Sequence, residues 1–269
     1  MTGSTRPHPA MRRDSTRSPV TRALTTALPA LLLALALLAV WAWGATRVGP
    51  LLLPAPTAVV TALVELAGTG DLWPAVSATG GVAAQGVALA VVVALPLAWT
   101  IVHSRRASAA LEPYLAASQA VPAVAIAPLL VLWFGYGPGT TALLAALLVF
   151  FPIVITTALG LRDLDREVLA AARVDGAGTW RLLRHIEAPL ALGQVLAGLR
   201  AGVALAMTGA VVGEFVIGGR GLGQLLETQR TRGDTAGLFA TLVVLTATAM
   251  TAYLLVRLLE RRAVSMAGR

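Results

Sequence analysis

The chain contains no cysteine, and each of its 21 Lys+Arg positions is an arginine. Without cysteine there is no disulfide framework, no thiolate nucleophile and no cysteine zinc site. Without lysine there is no P-loop lysine, pyridoxal Schiff base or Ser-Lys hydrolase. The chain therefore cannot hydrolyse ATP through a P-loop of its own. Charge is scarce as well: 13% of the 269 residues are charged, against about 25% in an ordinary soluble domain. Apolar residues take up the difference, at 57% of the chain with a mean hydropathy of +0.78. That composition defines an integral membrane protein.

The net charge of +8 does not point to nucleic acid. The arginines are dispersed between apolar runs and form no single basic stripe with interleaved aromatics. In a polytopic protein such a surplus sets orientation, because loops that stay inside during insertion retain positive charge. Residues 1–22 are polar and rich in Arg, Ser, Thr and Pro, and read as a disordered cytoplasmic tail. The apolar run Ala23 to Trp43 follows. A basic stretch before such a run also resembles a signal peptide. Its length of about 20 residues suffices to cross a bilayer, and its closing Trp41 and Trp43 suit the interface, so a retained helix is expected.

Five more spans are expected: Val82 to Val102, Tyr114 to Phe134, Thr141 to Leu161, Leu190 to Val212 and Ala236 to Val256. An amphipathic stretch from Pro54 to Ala67 and an interfacial helix start at Asp71-Leu72-Trp73-Pro74 lie between the first two. With the amino terminus inside, 16 arginines fall in inner segments and four in outer ones, with Arg200 within a span. Both termini are thus expected to be cytoplasmic, with a permease domain over 23–262 and a short tail over 263–269. His8, His103 and His185 all fall in inner segments on this map, as solvated loop residues and not as a metal or catalytic site.

The loop 162–189 is too polar for lipid yet patterned. Leu164, Val168, Ala171, Ala172 and Val174 recur at helical spacing, with Asp163, Asp165 and Glu167 at the start, where acidic groups complement the helix dipole. Asp175-Gly176 supplies a stop, and a second helix from Trp180 to Glu187 is expected to end at Pro189. An amphipathic hairpin resting on the membrane surface fits the same pattern. Elsewhere, the run Gly218 to Gly223 superficially matches a phosphate cradle, but no strand precedes it. It reads as a flexible outer loop returning toward the pore, followed by a short amphipathic piece through Glu227. Among the charged residues, Arg200 lies inside a span and Glu214 at the outer end of the fifth. Gln119, between Pro113 and Pro122, is the strongly polar side chain of the third span. Prolines free backbone carbonyls that a pore interior tolerates and lipid does not, so this span is expected to line a translocation path.

The loop resembles the cytoplasmic signature of permease subunits of ATP-binding-cassette importers: Glu-Ala-Ala, three residues, Gly, nine residues, Ile, one residue, Leu-Pro. Ala171, Ala172, Gly176, Ile186 and Pro189 stand at the matching intervals, whereas Ala170 and Ala188 replace the signature glutamate and leucine. Glu167, one turn earlier, is available for the acidic contact. Further stretches are similar to the nitrate, sulfonate and taurine group: Gln119 to Pro122, Ala125 to Leu129, Leu132 to Gly135, Phe150 to Val154, Gly198 to Arg200, Gly221 to Gly223 and Leu259 to Arg262.

The resemblance implies a type I importer permease with about six transmembrane helices in the bacterial inner membrane. It is not itself an enzyme and needs no cofactor or metal. Its implied partners are two copies of a cytoplasmic ATP-binding subunit, an extracytoplasmic solute-binding protein and a second permease copy. The implied coupling residues are Glu167, Ala171, Ala172, Asp175, Gly176, Ile186 and Pro189, and Gln119, Pro122 and Glu214 are the expected path residues. The group's substrates include nitrate, sulfonates, taurine and thiamine- or riboflavin-related compounds, with a lean toward the vitamin precursors here. An ion-coupled carrier is the alternative, disfavoured because no carboxylate is visible at mid-span. A membrane-anchored enzyme is disfavoured because no His, Cys or Ser/His cluster is visible near the bundle.

Overall fold

The computed structural model describes residues 19–118 and 120–267, with side chains described for 28–118, 120–122 and 124–262. Gln119 lies outside the described residues, as does most of the expected amino-terminal tail. The described residues are helical and turn, without a strand. They form two compact units, 1–56 and 57–269. The first unit carries α1 (Pro19–Val48), which begins inside the segment expected to be a tail. Its leucines from Leu28 to Leu38 are exposed, as a lipid-facing surface would be. Within this unit the Trp41 indole donates to the Pro54 carbonyl at 3.0 Å and pins the chain that leaves the helix.

The amphipathic stretch forms α2 (Pro56–Gly68). Next comes α3 (Leu72–His103), a single helix that starts ten residues before the expected span. The Asp71-Leu72-Trp73-Pro74 start therefore opens the span itself, because Pro74 sits in the first turn, where a missing N–H is harmless. The expected span Tyr114 to Phe134 is not one helix. It is divided between α4 (Arg105–Ser118) and α5 (Ala123–Phe134). Pro122 is the cause: it disfavours helical backbone at Val121 and serves as the N-cap of α5 at ψ 117°. At about 1.5 Å per residue, α5 reaches roughly 18 Å, short of a bilayer core of about 30 Å.

The remaining helices are α6 (Pro138–Arg162), α7 (Arg166–Val174), α8 (Thr179–Leu182), α9 (Ala188–Ile217), α10 (Leu222–Arg232) and α11 (Thr235–Ala267). α11 runs into the expected carboxy-terminal tail. Five helical stretches among the described residues are long and apolar enough to cross a membrane: Leu28–Val48, Leu72–His103, Pro138–Arg162, Thr179–Ile217 and Thr235–Arg262. The third expected span is the one that Pro122 breaks, and α4 and α5 between them return the chain from the His103 end of α3 to the Pro138 end of α6.

The second unit is built around α3, α6 and α9, with α11 against α9. Ala94, Ala98, Leu144, Ala145, Val149, Ile153, Ala206 and Ala210 are fully buried at its centre. Small residues set how closely the helices approach. A Cβ at Gly209 would come within 2.7 Å of the Ala145 Cα, and one at Gly202 within 2.9 Å of the Val149 side chain. Between apolar helices in lipid, where no hydrophobic force draws them together, such backbone approach supplies the packing. Arg200 of α9 donates to Glu260 of α11 at 2.8 Å and lies over the Tyr253 ring. This intramembrane charge is therefore neutralised in place and bolts two helices together.

Candidate functional site

Two places in the second unit gather polar groups, one at each end of α9. At its start, the loop 162–189 forms the expected hairpin. Asp165 caps α7, its side chain accepting from the Glu167 N–H at 2.8 Å. The helix ends in a Schellman turn. The Gly176 N–H donates to Arg173 O at 3.1 Å and the Ala177 N–H to Ala172 O at 3.0 Å, with Gly176 at φ +80°. A side chain at that φ costs about 1–2 kcal/mol, so glycine is the residue that makes this stop at low cost. Asp175 and Gly176 thus end α7 where the sequence predicts.

The second arm differs from expectation. It does not end at Pro189. α8 passes through one π-helical turn, Leu183–Glu187, directly into α9, and Pro189 lies in the first turn of α9. The wider turn, in which the Ala188 N–H reaches back to Leu183 O, carries the chain past the ring that would otherwise clash with the preceding carbonyls. The hairpin's second arm and the fifth span are consequently one continuous rod. Ile186, within the π turn, is partly buried.

α7 has no buried residue. Its expected apolar face is exposed: Val168, Ala171 and Val174 face outward, with Val174 at 87% exposure, and across the turn Trp180 is 70% exposed. Ala172 and Leu164 are partly buried, and Glu167 is exposed. The hairpin therefore presents an apolar surface that nothing in the described residues covers.

Glu187 anchors the base of the hairpin and was not legible as a site residue. It is 2% exposed, accepts from the Trp99 indole at 3.1 Å, and meets His103 Nε2 at 2.9 Å. His103 Nδ1 faces the Trp99 carbonyl at 2.9 Å, which can only accept, so that nitrogen carries a proton. His103, expected to be a solvated loop residue, instead stacks on Trp99 and ties the end of α3 to the hairpin. His185 is exposed, and His8 lies outside the described residues.

At the other end of α9, Glu214 is 2% exposed and fully engaged. The Thr79 hydroxyl lies 2.9 Å from both carboxylate oxygens, and the Gly223 N–H donates to Oε2 at 2.8 Å. The Leu222 N–H in turn donates to the Thr79 hydroxyl at 2.8 Å. The glycine-rich run is a cradle after all, but for a carboxylate of its own chain. A Cβ at Gly221 would collide with the Glu214 carboxyl group, and one at Gly223 would come within 2.8 Å of the Glu214 Cβ. The expected flexible loop is thus fastened at this clasp, and α10 follows with Leu222 fully buried. A cavity of about 610 Å³ borders the clasp, with Gln85, Thr141, Glu214 and Arg220 among its walls. Pro122 is exposed at the start of α5 and does not line this cavity.

Long apolar helices, an uncovered hairpin and a clasped loop at the far end of the same rod define a polytopic helical membrane protein. Comparison with known proteins agrees. The chain belongs to the binding-protein-dependent transport system inner membrane component family, whose model matches residues 86–265. It is similar to the riboflavin transport system permease protein RibX of Chloroflexus aurantiacus, 44% identical over 84% of this chain and 85% of the relative. It is also similar to the formylaminopyrimidine transport permease protein ThiX of Halalkalibacterium halodurans, 33% identical over 87% and 94%. The taurine transport system permease protein TauC of Escherichia coli is 29% identical over 93% of each chain. Among solved structures, a chain of the MetNI methionine ABC transporter in an inward-facing conformation shares the fold with a TM-score of 0.63. It is 19% identical over 74% of this chain and 96% of that one. The chain is a multi-pass transport permease of the inner membrane, and its relatives are permeases, not enzymes.

Proposed function

We propose that this permease imports a small solute and that hairpin 162–189 couples it to a separate ATP-hydrolysing subunit. The observation that carries the reading is the uncovered apolar face of α7 at Val168, Ala171 and Val174. A short stiff helix exposing such a face in an aqueous loop needs a protein partner to cover it. Two copies of the ATPase, one on each of two permease copies, would grip Ala171, Ala172, Asp175 and Gly176. ATP-driven closure would then displace the hairpin. Because the second arm continues through Ile186 and Pro189 into α9, this displacement tilts a whole span as a rigid body. Glu167 remains exposed at the start of α7, free to make the acidic contact that Ala170 cannot. The arginine distribution supports a cytoplasmic hairpin and cytoplasmic termini, and an extracytoplasmic solute-binding protein would then deliver substrate at the opposite end.

There, the cavity beside Glu214 and Arg220 supports a path past the clasp, with Gln119 and Pro122 as further path residues. The 44% identity to RibX and 33% to ThiX favour a vitamin-type heteroaromatic solute. Competing uptake of riboflavin, formylaminopyrimidine and taurine by the reconstituted transporter tests this directly.

Gly176→Leu tests the coupling role. Beyond its chain neighbours, no described residue lies within 4 Å of a Cβ added there. The substitution should leave insertion intact and abolish ATP-driven uptake while the ATPase still turns over. Wild-type uptake by this variant would refute the role.

A further inference from the structure

A second cavity, of about 570 Å³, lies on the inner side of the hairpin, between α7 and the ends of α3 and α6. Arg105, Arg162, Arg166 and Arg173 line it together with His103 and Glu187. Its carboxyl group, that of Glu187, is already held by Trp99 and His103. Arg162 pairs with Glu112 outside the cavity wall. Arg105, Arg166 and Arg173 have no ion-pair partner among the described residues. Arg166 and Arg173 are two turns apart on one face of α7, distinct from the outward face of Val168, Ala171 and Val174. The hairpin thus carries a basic inner face as well as an apolar outer one.

Position and lining identify the ligand. His103 and Arg162 are the last residues of two membrane-crossing helices, so the cavity sits where lipid headgroups lie. Apart from Ser108, its remaining wall is apolar, with Val102, Leu161 and Leu169 beside the guanidinium groups. A free inorganic anion has no use for that wall, and the volume far exceeds one phosphate. A phosphodiester with its glycerol and the first methylenes of its acyl chains uses both surfaces. Guanidinium forks match phosphate oxygens in bidentate geometry, and basic pockets between spans at the inner leaflet suit anionic headgroups. We propose that this cavity binds the phosphate of an anionic phospholipid, which braces the inner face of α7 against the ends of α3 and α6. The inference rests on the membrane-spanning fold and not on the ATPase contact, so the two fail independently.

Native mass spectrometry of the full chain, purified in non-ionic detergent and titrated with cardiolipin or with phosphatidylcholine, tests it. Cardiolipin should bind in clear preference to phosphatidylcholine. The double variant Arg166→Gln/Arg173→Gln should weaken cardiolipin binding about 10- to 30-fold, from the worth of an arginine near an anionic headgroup on the affinity scale. Arg166→Lys/Arg173→Lys, which keeps the charge, should retain most of it, and Arg257→Gln within α11 should leave it unchanged. Equal binding of the two lipids, or wild-type binding by the neutral double variant, would overturn the proposal. So would displacement of the lipid by millimolar inorganic phosphate, which would make the cavity a site for a soluble anion.

Discussion

Two glycine-bearing turns, one at the tip of the hairpin that leads into α9 and one just past the far end of α9, are opposites. Asp175-Gly176 closes its helix in open space, where a Cβ added to the glycine would meet no described residue beyond its chain neighbours. Gly221 and Gly223 are pressed against a buried carboxylate with no room for a methyl group. In the first, glycine supplies a backbone conformation; in the second, it supplies volume. The difference teaches what each end is for. An element that must be gripped by another molecule keeps its surface uncovered, whereas one that must hold a loop in register satisfies every polar group from within.

Substitutions can break this contrast, and the clasp should fail hardest. Gly223→Val forces a branched side chain against Glu214 and displaces the N–H that carboxylate accepts. A loss of about 3 kcal/mol or more is expected from overpacking and orphaned polar groups, read as a large drop in Tm of the detergent-solubilised chain. A wild-type Tm would show that the cradle is not tight. At the open end, Gly176→Leu costs only the strain of the positive φ, about 1–2 kcal/mol, while uptake is lost. Gly176→Asn, which tolerates that φ better, should be milder in stability, and uptake should separate backbone strain from a clash with the partner.

The Arg200–Glu260 pair between α9 and α11 should give a smaller effect. A double-mutant cycle with Arg200→Ala and Glu260→Ala is expected to yield a coupling of about 1 kcal/mol. A value near zero would mean the helices hold without it. The smallest effect is expected at an exposed position midway along α4. Ser108 and then Arg162 hold Glu112 below the usual carboxylate range by stabilising its charged form. A carboxyl depressed in the folded state adds stability above its unfolded pKa and loses it as pH falls through the folded value. The small advantage of wild type over Glu112→Gln should therefore be present at neutral pH and vanish on acidification. An advantage that grew with acidity would have the wrong sign.

Much of this architecture can be read from the chain. Runs of about 20 apolar residues announce the spans, and the interval from Ala171 to Pro189 announces the hairpin. Local stop chemistry at Asp175-Gly176 was equally plain, because a Schellman turn depends on neighbours in sequence. The misreadings share one physical origin. Hydropathy across Tyr114 to Phe134 hides the geometry of Pro122, which breaks the helix without lowering its apolar content. His103 and Glu187 meet across 84 positions, and Thr79 and Glu214 across 135. No local pattern foretells such partners, although an isolated carboxylate in an apolar run, as at Glu214, was reason enough to single it out. Pro189 misled as well: a π turn, invisible in composition, precedes it and lets the residue expected to end a helix open α9 instead.

The central claim is that the hairpin is a handle held by a foreign ATPase, and the absence of cysteine allows a clean test. In the Val174→Cys variant, a membrane-impermeant thiol reagent should label the single cysteine from the cytoplasmic side of the membrane. Labelling should fall sharply when the ATP-binding subunit is present. Unchanged labelling in the complex, or labelling from the outer side, would contradict the account.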